Sequence, residues 1–89
     1  MDKTLDAYIE KIKEEIISST CNVINIASVL DNNSKSAAAP FGENTVKALE
    51  YVLTLGKKMG FKTKNIDGKV GYIEFGSGDK LLGIIGHLD

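Results

Sequence analysis

Leu5, Tyr8, Ile9, Ile12 and Ile16 recur at intervals of three and four, while Lys11, Lys13, Glu14 and Glu15 fill the positions between them. That period puts one apolar stripe on a helix and predicts the first element over about residues 3 to 19. In "CNVINIASVL" the stripe breaks up, which predicts a short connector or extended segment. A second stripe, Val46, Leu49, Val52, Leu53, Gly56 and Met59, predicts a helix within "ENTVKALEYVLTLGKKMG". Glu43 at its start, Lys57 and Lys58 in its last turn and Gly60 just beyond suit the helix dipole and a left-handed cap. Gly56 costs up to ~1 kcal/mol against alanine inside a helix, so its presence predicts close approach of a neighbouring element.

After Gly60 the period becomes two. "FKTKNI" and "KVGYIEF" flank Asp67-Gly68, a pair suited to the positive φ angles of a tight hairpin turn. Alternation places Val70 and Tyr72 on one face and Ile73 and Phe75 on the other. "GSGD" predicts another turn, and from about Lys80 the uncharged run "LLGIIG" predicts a strand covered on both faces, as in the middle of a mixed sheet. The order is α-α-β-β-β, and the fold class is α/β. Between the helices, "DNNSKSAAAPFG" (31–42) holds the only proline and predicts a loop. Unstructured loops of about 12 residues are uncommon and often border sites, although a plain surface excursion fits equally.

A chain of 89 residues with a formal net charge of -1 makes one small domain with no strong field of either sign. Nucleic acid and anionic membrane surfaces are therefore not expected partners. No stretch approaches the ~20 apolar residues of a membrane span, and the first residues lack the apolar core of a secretory signal. Cys21 is the only cysteine, so it pairs with nothing inside the chain and is expected to serve as a small packing residue. A cytoplasmic location is the expectation.

Few residues are left for chemistry. "GSGDK" lacks the spacing of a phosphate loop, and nothing marks Cys21 as a nucleophile activated by the single histidine. His87 and Asp89, spaced by two at the end of the last strand, project to the same face. Carboxyl ends of strands are where open α/β sheets gather ligands, and a carboxylate beside an imidazole fixes its tautomer for metal binding. Taken alone, a lone histidine is more often structural than ligating.

"GIIGHLD" resembles the first metal-binding segment of the dinuclear-zinc peptidase and deacylase superfamily that includes carboxypeptidase G, acetylornithine deacetylase and succinyl-diaminopimelate desuccinylase. "APFGENTVKALEYVLTLGKKMGFKTKN" and "GYIEFGSGDKLLGIIGHLD" resemble, more narrowly, the PepV-type dipeptidases, also called Xaa-His or carnosinase-like. The resemblance runs along the whole chain and is most specific over residues 39 to 89. It implies a three-layer αβα catalytic domain and a hydrolase in which two zinc ions, replaceable by manganese or cobalt, activate water against the amide of a dipeptide. It implies that His87 is a metal ligand and that Asp89 is the active-site carboxylate orienting its imidazole.

Such enzymes are several times longer, and their bridging aspartate, glutamate base, further carboxylate and late histidine all lie downstream of this motif. Residues 1–89 are thus expected to be an N-terminal segment of the catalytic domain, without the lid or dimerisation domain and inactive alone, with its end an accident of how the chain arose. Three other readings stay open. They are a sister deacylase, a module that self-associates through its exposed final strand, and a metal site closed by His87 residues of two chains.

Overall fold

The computed structural model describes residues 3–89 and contains two α-helices, one short 3-10 turn and a two-stranded antiparallel sheet. Helix α1 spans Lys3–Ile24, and α2 spans Glu43–Lys58. Strands β1 (Lys62–Ile66) and β2 (Val70–Glu74) pair in the register Lys62 with Glu74 through Ile66 with Val70. Helix α2 packs on one face of this hairpin. The result is two helices with a two-stranded antiparallel sheet, compatible with the α/β class.

Both ends of α2 are tied by identifiable groups. At its start Gly42, at φ 113°, has no side chain to offer, so the Ser34 hydroxyl accepts the Glu43 amide at 3.0 Å. At its end Gly60, at φ 90°, lets its own amide reach the Lys57 carbonyl and the Phe61 amide reach the Gly56 carbonyl. This is the double-bonded glycine cap that the sequence led us to expect.

The core is small and lies between α2, the hairpin and the end of the 31–42 loop, with Ala39, Ala48, Leu49 and Leu53 buried. Burial of each leucine contributes about 1.5–3 kcal/mol. Two glycines make the close packing possible. A Cβ on Gly56 would lie 2.8 Å from Ile73 Cδ1, and one on Gly71 would lie 2.9 Å from Leu53 Cδ1. Gly56 is the close approach predicted for it. Ile73 faces the helix, whereas Val70 and Tyr72 stay exposed on the opposite face.

Four expectations need correction. Helix α1 continues past residue 19 to Ile24, because "TCNVI" contains no glycine or proline to stop it and its last turn is held by a polar bond. Asn22 Nδ2 donates to the Tyr51 hydroxyl of α2 at 3.0 Å, a tie that a search for apolar periodicity does not see. Cys21, on that turn, is exposed rather than a packing residue. The apolar stripe of α1 is real but uncovered, since none of its residues is buried.

The largest difference concerns residues 80–89, which form no strand. A strand exists through its ladder. Here the segment runs beside β2 across an open groove of about 630 Å³ lined by Leu53, Ile73, Leu82 and Ile84 without pairing to it. Leu81, Leu82, Ile84 and Ile85 are accordingly exposed, opposite to the burial their composition implies. Among the described residues, no helix is long and apolar enough to cross a membrane.

Candidate functional site

The 31–42 segment is an ordered loop, built largely by Asp31. One Asp31 carboxylate oxygen accepts the Asn33 amide at 3.0 Å and the other accepts the Ser34 hydroxyl at 2.9 Å, which closes the 3-10 turn Asn32–Ser34. The Asp31 amide donates to the Phe41 carbonyl at 3.0 Å and so draws the two ends of the loop together. Further on, the Ala39 amide donates to the Ser36 hydroxyl at 3.1 Å. Ala39 is thereby turned inward.

The hairpin turn packs onto this loop. Asp67 and Gly68 take φ of 57° and 70°, the Lys69 amide donates to the Ile66 carbonyl, and the Asn65 side chain accepts the Gly68 amide at 2.8 Å. A Cβ on Gly68 would lie 2.4 Å from the Ala38 carbonyl oxygen. Only glycine fits where two chain segments come so close.

Loop, turn and the start of α2 form three sides of a cleft of about 560 Å³, and residues 85–89 form the fourth. Leu30, Phe41 and Leu49 give it apolar walls, while Lys69, His87 and Asp89 bring charge or donors to it. A mostly apolar cleft with a few convergent polar groups is a common form of small-molecule site. The terminal segment is held in place by the Ser28 hydroxyl, which donates to the Leu88 carbonyl.

His87 and Asp89 meet across the intervening leucine, with Nδ1 of the imidazole 3.4 Å from Asp89 Oδ1. Both side chains are largely exposed, 86% and 73%, so this pairing contributes at most about 1 kcal/mol. Its chemical value is orientation. A carboxylate at Nδ1 favours the tautomer protonated there and leaves Nε2 as the free lone pair, the form in which histidine binds a metal. The donor set fits one ligand position and its support. Among the described residues no group of three or more histidine, cysteine or acidic side chains is placed to hold an ion. A zinc site with three or four protein ligands is therefore not complete within them.

The pairing of His87 with Asp89 follows from their spacing. The opposite wall does not, since Leu30, Phe41 and Lys69 come from three separate segments that only the fold brings together. The one signal for Phe41 in the sequence is its place in the unusually long loop.

No family model matches the chain. Among curated proteins it is 43% identical over 77 residues to a Bacillus subtilis protein named "Putative dipeptidase YtjP", covering 86% of this chain and 17% of that one. It is 36% identical over 89 residues to the "Beta-Ala-Xaa dipeptidase" of Lactobacillus delbrueckii subsp. lactis, covering 100% of this chain and 19% of that protein. A Staphylococcus epidermidis protein named "Putative dipeptidase" is 37% identical over 83 residues, which is 90% of this chain and 18% of that protein. The chain thus spans less than a fifth of the length of these relatives.

Proposed function

We propose, from the premise that a chain similar along its whole length to proteins named dipeptidases shares their chemistry, that residues 1–89 carry the first part of a metal-dependent dipeptidase catalytic domain. The observation that supports this reading is the reach of the similarity. The alignment with the Lactobacillus relative covers all 89 residues and so runs through the loop, the hairpin turn, His87 and Asp89, the parts that make the cleft. The substrate class is a dipeptide, with β-alanyl or Xaa-His peptides as the first candidates, and the setting is the cytoplasm. The enclosing architecture in this reading is a three-layer αβα domain, in which residues 81–86 become a paired central strand.

His87 offers Nε2 to a metal, and Asp89, beside Nδ1, is the carboxylate that would orient the ring. Zinc at such a site, when bound, supplies Lewis-acid polarisation of the peptide carbonyl and a nucleophile near neutral pH. Phe41 and Leu30 line one side of the cleft and give an apolar side chain of the substrate somewhere to lie. Lys69 provides a cation on the same wall, suited to a peptide carboxylate. The described residues do not supply the remaining ligands or a proton-transferring group, so on this reading they leave a dipeptide uncleaved by themselves.

The test is a fusion of this chain to the part of the Bacillus relative that follows the matched segment. With zinc or manganese it should hydrolyse a β-alanyl dipeptide. His87→Ala should abolish turnover, and Asp89→Asn should lower activity or metal affinity by about 10–100-fold. A folded fusion that releases acyl groups from N-acyl amino acids but leaves dipeptides intact would replace this reading with the sister deacylase. Full dipeptidase activity in His87→Ala would remove the assignment of that residue.

A further inference from the structure

We infer that Ser28 is a positioning residue for the metal-binding segment: through the Leu88 carbonyl it fixes the direction in which His87 and Asp89 present their side chains. The inference rests on the dipeptidase reading for the reaction it serves. Its own ground is the way the segment is held.

Little packs against His87 and Asp89. Their side chains are 86% and 73% exposed, so neighbouring side chains do not set the angle at which imidazole and carboxylate meet. The backbone must set it. No backbone-to-backbone hydrogen bond among the described residues reaches residues 81–89, and the tie they have is the Ser28 hydroxyl donating to the Leu88 carbonyl across 60 positions of sequence. Leu88 is half-buried, whereas the other residues of 81–89 are exposed. The accepting oxygen belongs to the peptide unit that joins Leu88 to Asp89. Because that unit is planar, holding its oxygen holds the rotation at Leu88, and with it the direction in which the Asp89 side chain leaves the backbone. Asp89 Oδ1 in turn lies 3.4 Å from Nδ1 of His87. The serine thus reaches the ligand through the carboxylate.

Ser28 is itself held on both sides. Helix α1 closes with the Asn25 amide donating to the Cys21 carbonyl and the Ile26 amide to the Val23 carbonyl. Two successive three-residue turns follow, in which the Ser28 amide donates to the Ile26 carbonyl at 2.8 Å and the Val29 amide to the Ala27 carbonyl at 2.9 Å. Beyond them the Asp31 amide is bonded to the Phe41 carbonyl. The connector whose apolar residues lose the helical period is therefore a folded strut between α1 and the 31–42 loop. Its half-buried hydroxyl is the point from which it grips the metal-binding segment. Ala27 and Val29, on either side, carry no side-chain donor that could replace it.

The bond is also compatible with a completed sheet. In the dipeptidase reading residues 81–86 pair as a strand, and Leu88 lies past its end, where a ladder leaves a carbonyl in need of a partner. Ser28 supplies that partner.

The fusion of this chain to the part of the Bacillus relative that follows the matched segment tests this when it is freed of metal and titrated with cobalt(II), whose visible absorption reports ligand geometry without turnover. Ser28→Thr and Ser28→Val are nearly equal in size and differ in the hydroxyl. The threonine variant should keep the cobalt affinity and spectrum of the unsubstituted fusion. The valine variant should lose about tenfold in affinity, shift the absorption bands and lower kcat about tenfold with KM changed less than about twofold. Thr20→Ala is the control for a general loss of stability. It removes a hydroxyl-to-carbonyl bond of the same kind within α1, from Thr20 to the Ile16 carbonyl at 2.7 Å, and should leave affinity and spectrum unchanged. Equal affinity and spectra in Ser28→Val and Ser28→Thr would overturn the inference, as would a loss in Ser28→Val matched by Thr20→Ala. Cobalt binding no tighter than that of His87→Ala would overturn it together with the metal assignment of His87. A fusion that binds cobalt through His87, responds to Ser28→Val and leaves β-alanyl dipeptides uncleaved would keep the role of Ser28 and dismiss the dipeptidase activity.

Discussion

Gly68→Ala separates two costs that usually arrive together. At φ +70° an L-residue costs ~1–2 kcal/mol through its own backbone. The new Cβ would also lie 2.4 Å from the Ala38 carbonyl oxygen and 3.2 Å from Pro40 Cδ, so the turn and the loop must part, an overpacking cost of ~1–3 kcal/mol. The lower entropy of alanine in the unfolded chain returns ~0.4–1 kcal/mol. The net expectation is a loss of ~2–4 kcal/mol. Gly60→Ala is the matched control, because Gly60 has φ +90° with nothing within 4 Å of its would-be Cβ, and it should lose only the backbone part, ~1 kcal/mol. Urea unfolding followed by circular dichroism measures both. A difference below ~0.5 kcal/mol between them would refute the contact between turn and loop on which the geometry of the cleft depends.

Other expectations follow from single contacts. Gly56→Ala gains helix propensity but meets Ile73 Cδ1 at 2.8 Å, and should destabilise by ~1 kcal/mol. Combining it with Ile73→Val, which removes that methyl, should recover at least half in a double-mutant cycle. Ser34→Ala removes the acceptor for the Glu43 amide and a donor to Asp31, and should cost ~1 kcal/mol, with faster hydrogen exchange confined to the first turn of α2. Calorimetric titration of the free chain with zinc should show binding weaker than micromolar that His87→Ala barely changes. Tight stoichiometric binding lost in that variant would mean that the ligands close within these residues or between two copies of them.

What could be read from sequence divides along the distance over which each feature is determined. Helix α2, its Gly60 cap and the Asp67-Gly68 turn depend on residues within a few positions of each other, and period and turn chemistry captured them. The end of α1 depends on Asn22 meeting Tyr51, 29 positions away, and the start of α2 on Ser34 reaching Glu43 from inside a loop. Neither leaves a local trace. "LLGIIG" was legible as a segment suited to burial, but burial needs neighbours that the described residues do not provide. The same holds for the site. The meeting of His87 with Asp89 is a matter of spacing, whereas Phe41 and Lys69 join them only through the fold.

Residues 75–87 bear on how long the molecule lasts. Proteases bind their substrates in extended form and choose accessible, weakly bonded chain, and this stretch offers Phe75, Gly76 and Gly78 followed by exposed leucines and isoleucines. Cleavage there would detach His87 and Asp89 while leaving α2 and the hairpin folded. Once the segment is engaged as a strand, the same bonds are withdrawn from proteolysis.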